Sequence, residues 1–193
     1  MKLERVIPYV KTLLQSTVSP GDTVIDATAG NGHDTLFLAQ LVGTTGHVYA
    51  FDVQKTAIES TELRLGELRN HATVIQAGHE SISNYVTEEI SAAVFNLGYL
   101  PGSDHEIITR PVTTIKALES CLHLLKVGGL VVLVVYHGHE GGDFERDFLL
   151  DYLKSLPQSY VHVLKYEFIN QQNHPPFVLA IEKMKHQTIS KGS

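Results

Sequence analysis

A loop with two glycines carries the clearest chemical signal in the sequence. Gly30 and Gly32 lie between a strand-like run and a helical pattern, where glycine lets the backbone approach a ligand and take positive φ angles. A dinucleotide-binding fingerprint would need glycine or alanine at position 35, which is threonine. Asp26, four residues before Gly30, could accept hydrogen bonds through water from an ammonium group, whereas a pyrophosphate-binding loop would gain nothing from its charge.

A second carboxylate, Asp52, ends the next predicted strand, 20 residues after Gly32. A carboxylate at this place can bind both hydroxyls of a ribose, which NAD and S-adenosylmethionine both contain. Together with Asp26 and the two glycines, Asp52 favours S-adenosylmethionine as the cofactor. The alternative is a tight turn between strand and helix with a solvated aspartate.

His79 and Glu80 follow the third predicted strand, where the edge of an adenine would fall. They could equally cap a helix.

The end of the fourth predicted strand carries groups suited to an amine acceptor. The Asn96 side chain and the Leu97 carbonyl can accept hydrogen bonds from an amine, and Tyr99 can stack on its base. Amino-methylating enzymes use an Asn/Asp-Pro-Pro-Tyr tetrapeptide at this place, and here leucine and glycine replace the two prolines. The alternative is a β-turn built by glycine and proline.

Three further candidate substrate contacts reach the same edge. Tyr136, His137 and His139 follow the most apolar strand, where a glycine-rich loop could act as a lid or supply a proton acceptor. Two histidines with no evident third ligand do not predict a metal site. Arg110, before the long predicted helix, could hold an RNA phosphate or simply accompany a helix cap.

The elements that position these residues alternate between strand and helix, which is typical of a parallel α/β sheet. The strands are predicted at 23–27, 47–52, 73–77, 92–97, 130–136, 160–169 and 177–183, and the helices at 4–15, 34–42, 55–69, 110–125 and 143–156. The glycines at 128 and 129 are interpreted as the stop of the long helix, and 130–136 as the most central strand. We expect a Rossmann-like class I fold of seven strands, the last antiparallel, with helices on both faces.

Length and charge limit the remaining possibilities. The 193 residues suit one domain over 1–185 with a disordered tail over 186–193. A net charge of −6 excludes a broad basic face as the basis of nucleic-acid binding, but not a small RNA site. Cys121 is the only cysteine, so it forms no intramolecular disulfide. No signal-peptide pattern or membrane-spanning run is visible, and we expect a cytoplasmic protein without a membrane partner.

With these motifs in view, the chain resembles the small bacterial class I methyltransferases first labelled rRNA methylase-like. The resemblance is carried by residues 26–35, 51–54, 78–80, 96–102 and 136–142. Members of that group methylate the 5-aminomethyl group of the wobble uridine in tRNA, converting 5-aminomethyl-2-thiouridine to its 5-methylaminomethyl form. The resemblance therefore implies S-adenosylmethionine as cofactor and the tRNA anticodon stem-loop as partner. It also implies a homodimer and a minimal fold without an appended RNA-binding domain.

The resemblance implies that six residues contact the cofactor: Asn31, His33, Asp52, Gln54, His79 and Glu80. The motifs described above add the rest of the predicted cofactor set, which is Asp26, Gly30, Gly32 and Asn96. Two other functions stay open at this point: a small-molecule N-methyltransferase, and a non-catalytic S-adenosylmethionine-binding module.

Overall fold

A computed structural model describes residues 2–98, 111–138 and 142–186 of the chain. Its strands are β1 (Thr23–Asp26), β2 (His47–Asp52), β3 (Ala72–Gln76), β4 (Ile90–Leu97), β5 (Leu125–Val135), β6 (Val161–Tyr166) and β7 (Phe177–Lys183). Its α-helices are α1 (Val6–Thr17), α2 (His33–Val42), α3 (Lys55–Leu65), α4 (Pro111–Leu124) and α5 (Gly142–Ser155). Short 3-10 helices span Gly43–Thr45, Gly66–His71 and His79–Asn84.

The seven strands form one sheet in the order β3-β2-β1-β4-β5-β7-β6. Neighbours from β3 to β5 pair in parallel, whereas β7 runs antiparallel to both β5 and β6. This confirms the predicted class I methyltransferase-type sheet with its last strand reversed. The strand order reverses between the neighbours β1 and β4, because the chain returns from β3 at the edge of the sheet to β4 beside β1. Open α/β sheets bind ligands at such a switch point.

Apolar side chains cover both faces of the sheet. One cluster contains Phe51, Phe95 and Phe177, and the other contains Leu14 of α1 and Leu38 of α2. All residues of β4 except Asn96 are buried, because helices cover the strand on both sides. The strand in the middle of the sheet is therefore β4, and the prediction that 130–136 is the most central strand is wrong by one position.

The stretch around Gly128 and Gly129 also differs from its prediction. These glycines are predicted to end the long helix, but α4 ends at Leu124 and β5 begins at Leu125, so both glycines lie within β5. Gly128 has a φ of 78°, and a Cβ at Gly129 would lie 2.8 Å from the Ser91 carbonyl oxygen. The register of β4 against β5 shifts at this place. These glycines thus serve an irregular strand pairing rather than a helix stop.

The remaining boundaries agree to within a few residues. The clearest difference is α3, which ends at Leu65 and continues as the 3-10 helix Gly66–His71, whereas the prediction extended the α-helix to residue 69. The division into one domain and a tail stays a prediction, since residues 187–193 lie outside the described part. Among the described residues, no helix is both long and apolar enough to cross a membrane.

Candidate active site

The candidate site lies at the edge of the sheet where the parallel strands end. Asp26 ends β1, Asp52 ends β2, and Asn96 is the penultimate residue of β4. Because β1 lies between β2 and β4, these three positions share one edge. The residues that were predicted at the ends of these strands therefore lie at the same edge, next to the glycine loop that follows β1.

Asp52 ties the glycine loop to the start of α3. Its Oδ2 accepts a hydrogen bond of 2.9 Å from the Gly30 backbone N–H, and its Oδ1 accepts one of 2.9 Å from the Gln54 N–H. Each carboxylate oxygen retains a further lone pair, so the group can still accept hydrogen bonds from two adjacent hydroxyls. The loop is thus held open around a carboxylate suited to a ribose.

Gly32 is required by a close approach between two helices. It has a φ of 75°, and a Cβ added there would lie 2.7 Å from the Thr61 Cα of α3. Any side chain at this position would collide with the backbone of α3 as well as strain its own. The glycine therefore lets α2 begin directly against α3.

Asp26 lies beneath the loop and is fully buried, which differs from the predicted role of accepting hydrogen bonds through water. Its Oδ2 accepts a 2.6 Å hydrogen bond from Thr35 Oγ1, and its Oδ1 accepts one of 3.1 Å from the Thr28 N–H. Burial, together with the nearby charge of Asp34, raises the pKa of Asp26 to about 7. The same Thr35 that breaks the dinucleotide fingerprint is thus the partner of this carboxyl group.

Asn96 is fixed by two hydrogen bonds. Its backbone N–H donates to Thr28 Oγ1 at 2.7 Å, and its side-chain Nδ2 donates to Asp34 Oδ2 at 2.8 Å. The second bond turns the amide so that its carbonyl oxygen Oδ1 faces away from Asp34. Sequence reasoning missed Asp34, although an acidic residue in the first turn of α2 was a signal that could have drawn attention to it.

The Leu97 carbonyl is less available than predicted. Leu97 is buried, and its carbonyl oxygen accepts a 3.0 Å hydrogen bond from the Tyr136 backbone N–H. That bond extends the pairing of β4 with β5 by one residue. The Asn96 side chain is therefore the better candidate to accept hydrogen bonds from a substrate at this strand end.

His79 is a buried residue at the same edge of the sheet. Its ring packs against Phe95, with centroids 5.7 Å apart, and its Nε2 has no hydrogen-bond partner within the described residues. Burial lowers the pKa of His79 below its ordinary value, against the opposing effects of the Glu80 and Asp52 charges. A neutral ring with an unpaired nitrogen leaves a polar contact that a bound ligand would satisfy.

The other predicted cofactor contacts lie on the surface around the glycine loop. Asn31 and His33 are exposed, whereas Gln54 and Glu80 are partly buried. Gln54 directly precedes α3, and Glu80 lies in the first turn of the 3-10 helix His79–Asn84. Neither His79 nor Glu80 forms a side-chain cap on that helix, so the capping alternative is not seen.

The second half of the edge is formed after β5. His137 is buried, and its ring lies 5.6 Å from both the His174 and the Phe177 rings. Tyr136, beside it, is 40% exposed, and burial and the Asp34 charge raise the pKa of its hydroxyl above 10. The two residues therefore differ: Tyr136 faces the edge of the sheet, while His137 packs under the β6–β7 connection.

A cavity of about 380 Å³ opens beside His137. It is lined by His137, Glu167, Phe168, Ile169, Gln171, Asn173, His174 and Pro175. Asn173 and His174 have positive φ angles of 64° and 49°. The β6–β7 connection thus bends sharply and forms one wall of this cavity.

His137 has more potential metal-ligating neighbours than the sequence indicated. Nitrogen and oxygen atoms of His137, Asp143 and His174 lie within 4.8 Å of one another. However, Asp143 Oδ1 already forms an ion pair of 2.5 Å with Arg146 Nη1, and that guanidinium lies 3.4 Å from His137 Nδ1. A metal ion would have to displace this cation.

Three predicted site residues lie outside the described part of the chain. They are Tyr99, Arg110 and His139.

Comparisons with known proteins agree with this geometry. Residues 48–182 match the protein family described as "Putative rRNA methylase". Over 181 residues the chain is 38% identical to the chloroplastic tRNA (mnm5s2U34)-methyltransferase of Arabidopsis thaliana. The match covers 88% of this chain and 66% of that relative, so the chain spans just under two thirds of the relative's length.

Two solved structures share the whole fold. A protein from Clostridium thermocellum, crystallised as a "putative rRNA-methylase", superposes with a TM-score of 0.93 at 41% identity, covering 95% of this chain and 100% of that one. A Streptococcus mutans "putative methyltransferase" superposes with a TM-score of 0.88 at 42% identity, covering 94% and 99%. The latter was crystallised with S-adenosylhomocysteine (SAH).

The site and these similarities agree on the cofactor. The glycine loop, the Asp52 carboxylate and the unpaired nitrogen of His79 offer the contacts that an adenosyl group requires. The chain belongs to the rRNA methylase family of S-adenosylmethionine-dependent methyltransferases.

Proposed function

We propose that the chain methylates the 5-aminomethyl nitrogen of the wobble uridine in tRNA, forming 5-methylaminomethyl-2-thiouridine. The observation that carries the proposal is the fixed Asn96 amide at the end of β4, held by Thr28 and Asp34 beside the cofactor loop. The name of the Arabidopsis relative, a tRNA (mnm5s2U34)-methyltransferase, supports the same acceptor.

The proposed reaction depends mainly on alignment. S-Adenosylmethionine supplies an electrophilic methyl group, whose bond to sulfur breaks as the acceptor nitrogen forms its bond to carbon, the electron pair remaining on sulfur. Asn96 Oδ1 accepts a hydrogen bond from the amine and points its lone pair toward the methyl carbon. Holding the reacting atoms in line accounts for most of the rate gain in such a displacement.

The remaining residues divide between cofactor and acceptor. Asp52 and the Gly30 to Gly32 loop bind the cofactor, with Asn31, His33, Gln54, His79 and Glu80 around it. Tyr136 and the cavity beside His137 accommodate the nucleotide, and Tyr99, Arg110 and His139 complete the substrate side of the proposal. The protein acts as a cytoplasmic homodimer and needs no metal ion.

The proposal is tested by methyl transfer to defined RNA, followed by nucleoside mass spectrometry. Anticodon stem-loops carrying 5-aminomethyl-2-thiouridine or 2-thiouridine at the wobble position are compared with the same protein and cofactor. We expect a methylated wobble nucleoside only from the aminomethyl substrate. Absence of product, with intact binding of SAH, would instead favour a small-molecule acceptor. Retention of activity in Asn96→Ala would remove the assigned role of Asn96.

A further inference from the structure

An aminomethyl acceptor presents a problem of charge. A primary alkylamine is mostly an ammonium ion near neutral pH, and in that form its nitrogen has no lone pair with which to attack a methyl group. The site must therefore bind a cation and release a proton from it. This requirement rests on the proposed function, and the group that meets it should be one of the charged side chains around Asn96.

Asp34 is a carboxylate that is hydrogen-bonded to the Asn96 side chain, beside the proposed position of the amine. One of its oxygens, Oδ2, holds Asn96 Nδ2 at 2.8 Å, so the carboxylate and the Asn96 amide lie side by side. The side chain is partly buried. The negative charge of Asp34 also acts on two neighbouring groups, because it contributes to raising the pKa of Asp26 and of Tyr136.

No cation of the described residues balances this charge. The ion pairs formed by lysine, arginine and histidine within residues 2–98, 111–138 and 142–186 do not include Asp34. Asp34 Oδ2 is held by the Asn96 amide, and a bound ammonium group would supply the opposite charge that the described residues do not.

We propose that Asp34 binds the acceptor amine in its ammonium form and receives its proton before methyl transfer. The ammonium donates a hydrogen bond to Asp34 Oδ1 while Asn96 Oδ1 accepts a second one. Transfer of one proton to the carboxylate leaves a neutral amine whose lone pair attacks the methyl group. The product is a secondary ammonium, and the Asp34 carboxylic acid returns its proton to solvent.

His137 is a weaker candidate for the same task. Its Nδ1 lies 3.4 Å from the Arg146 guanidinium and 3.5 Å from Asp143, and its ring is buried against Phe177. That nitrogen already lies between the Arg146 guanidinium and the Asp143 carboxylate, whereas Asp34 lies directly beside the Asn96 amide.

The sharpest test is Asp34→Asn, because an asparagine oxygen can still accept the Asn96 hydrogen bond while the charge is removed. At neutral pH we expect kcat with the aminomethyl stem-loop to fall about 100-fold or more, the usual contribution of a proton acceptor. The loss should shrink as the pH rises from about 8 to about 10, since solvent then supplies the free amine. Asp26 is already ionised over this range, and Tyr136 has a raised pKa, so neither explains a recovery.

Glu59→Gln is the matched control, because it removes one negative charge from an exposed position on α3. It should leave kcat and its pH dependence unchanged. A second readout needs no turnover: near pH 6 the unchanged protein should bind the aminomethyl stem-loop more tightly than the 2-thiouridine stem-loop. Asp34→Asn should lose that preference, and Glu59→Gln should keep it.

Three outcomes would overturn the proposal. A loss of kcat that does not recover at high pH would reduce Asp34 to a support for Asn96. Weakened SAH binding with an unchanged preference for the aminomethyl stem-loop would place Asp34 on the cofactor's own ammonium group. Full activity of Asp34→Asn would remove its role altogether. If the unchanged protein makes no product from the aminomethyl stem-loop, the proposed function itself fails, which the SAH binding measurement distinguishes from misfolding.

Discussion

Asp52 and Asn96 are polar residues at the ends of strands, yet they are bonded to different parts of the chain. Asp52 accepts hydrogen bonds from Gly30 and Gln54 in the proposed cofactor half of the site, whereas Asn96 donates to Asp34 on the proposed acceptor side. We expect Asp52→Ala to raise the Kd for SAH about 10- to 100-fold, because hydrogen bonds to a charged group are lost. Isothermal titration calorimetry measures this directly.

Asn96→Ala should show the reverse pattern and serves as the control for Asp52→Ala. We expect kcat to fall about 100-fold while the Kd for SAH stays within about threefold, since alignment of the acceptor is lost. Equal losses of SAH affinity in the two variants would show that Asn96 belongs to the cofactor half.

Asp26 makes the stability of the protein depend on pH. Its pKa is about 7 in the folded chain against an ordinary 3.8, so the folded state holds a proton that the unfolded state releases between these values. Stability should therefore fall as the pH rises through this range and stay lower above it. Asp26→Asn keeps an acceptor for the Thr28 N–H and an amide for Thr35, but it carries no charge.

The measurement is urea unfolding of both proteins at about pH 5 and about pH 8. On going to the higher pH, Asp26→Asn should gain about 2–3 kcal/mol relative to the unchanged protein. Parallel pH dependence of the two unfolding free energies would show that Asp26 is ionised in the folded state throughout.

At the scale of elements, the contact between α2 and α3 depends on the absence of a side chain at Gly32. Gly32→Ala would place its Cβ 2.7 Å from the Thr61 Cα, at a φ of 75°. Gly128→Ala is a matched control, because its φ is 78° and, among the residues that the structure describes, no other part of the chain lies within 4 Å of its added Cβ. Both variants incur backbone strain, so their difference isolates the collision.

We expect Gly32→Ala to lose about 1–3 kcal/mol more unfolding free energy than Gly128→Ala, the usual cost of overpacking. Urea denaturation provides the comparison. Equal losses would mean that α3 moves aside without cost, and that the close approach of the two helices is not a constraint.

The elements predicted best are those fixed by their own composition. The strands His47–Asp52 and Phe177–Lys183 match their predictions residue for residue, because apolar and β-branched residues run between clear turn signals. The start of β5 was mispredicted because two glycines imitate a helix stop, whereas Leu125 pairs with Ile90 of β4, a residue far away in the sequence.

The candidate site shows the same contrast between features that local sequence predicts and features that depend on distant partners. Strand ends predicted Asp52 and Asn96, since parallel topology alone brings them to one edge. The roles of Asp34 and of the group around His137 depend instead on distant partners: Asp34 and Asn96 are 62 residues apart, and His174 reaches His137 only through the β6–β7 connection. No local pattern in the sequence encodes such pairs.

At the scale of the whole molecule, a net charge of −6 limits how RNA can be held. Binding that relies on many phosphate contacts is steeply weakened by salt, whereas loop recognition by stacking and edge contacts is not. With only about two phosphate contacts, stem-loop affinity should fall less than about tenfold between about 50 and about 200 mM salt. Fluorescence anisotropy measures this, and a loss of about a thousandfold would indicate a basic surface on the assembled protein instead.

The reversed direction of β7 has a consequence for how such enzymes diversify. Because β7 begins at the edge where β1, β2 and β4 end, the connection before it forms a wall of the cavity beside His137 without belonging to the glycine loop. That connection can change in length or sequence while the proposed cofactor half stays intact. We therefore expect that changes in residues 167–176 alter which acceptor is methylated by proteins of this fold, while binding of the methyl donor stays the same.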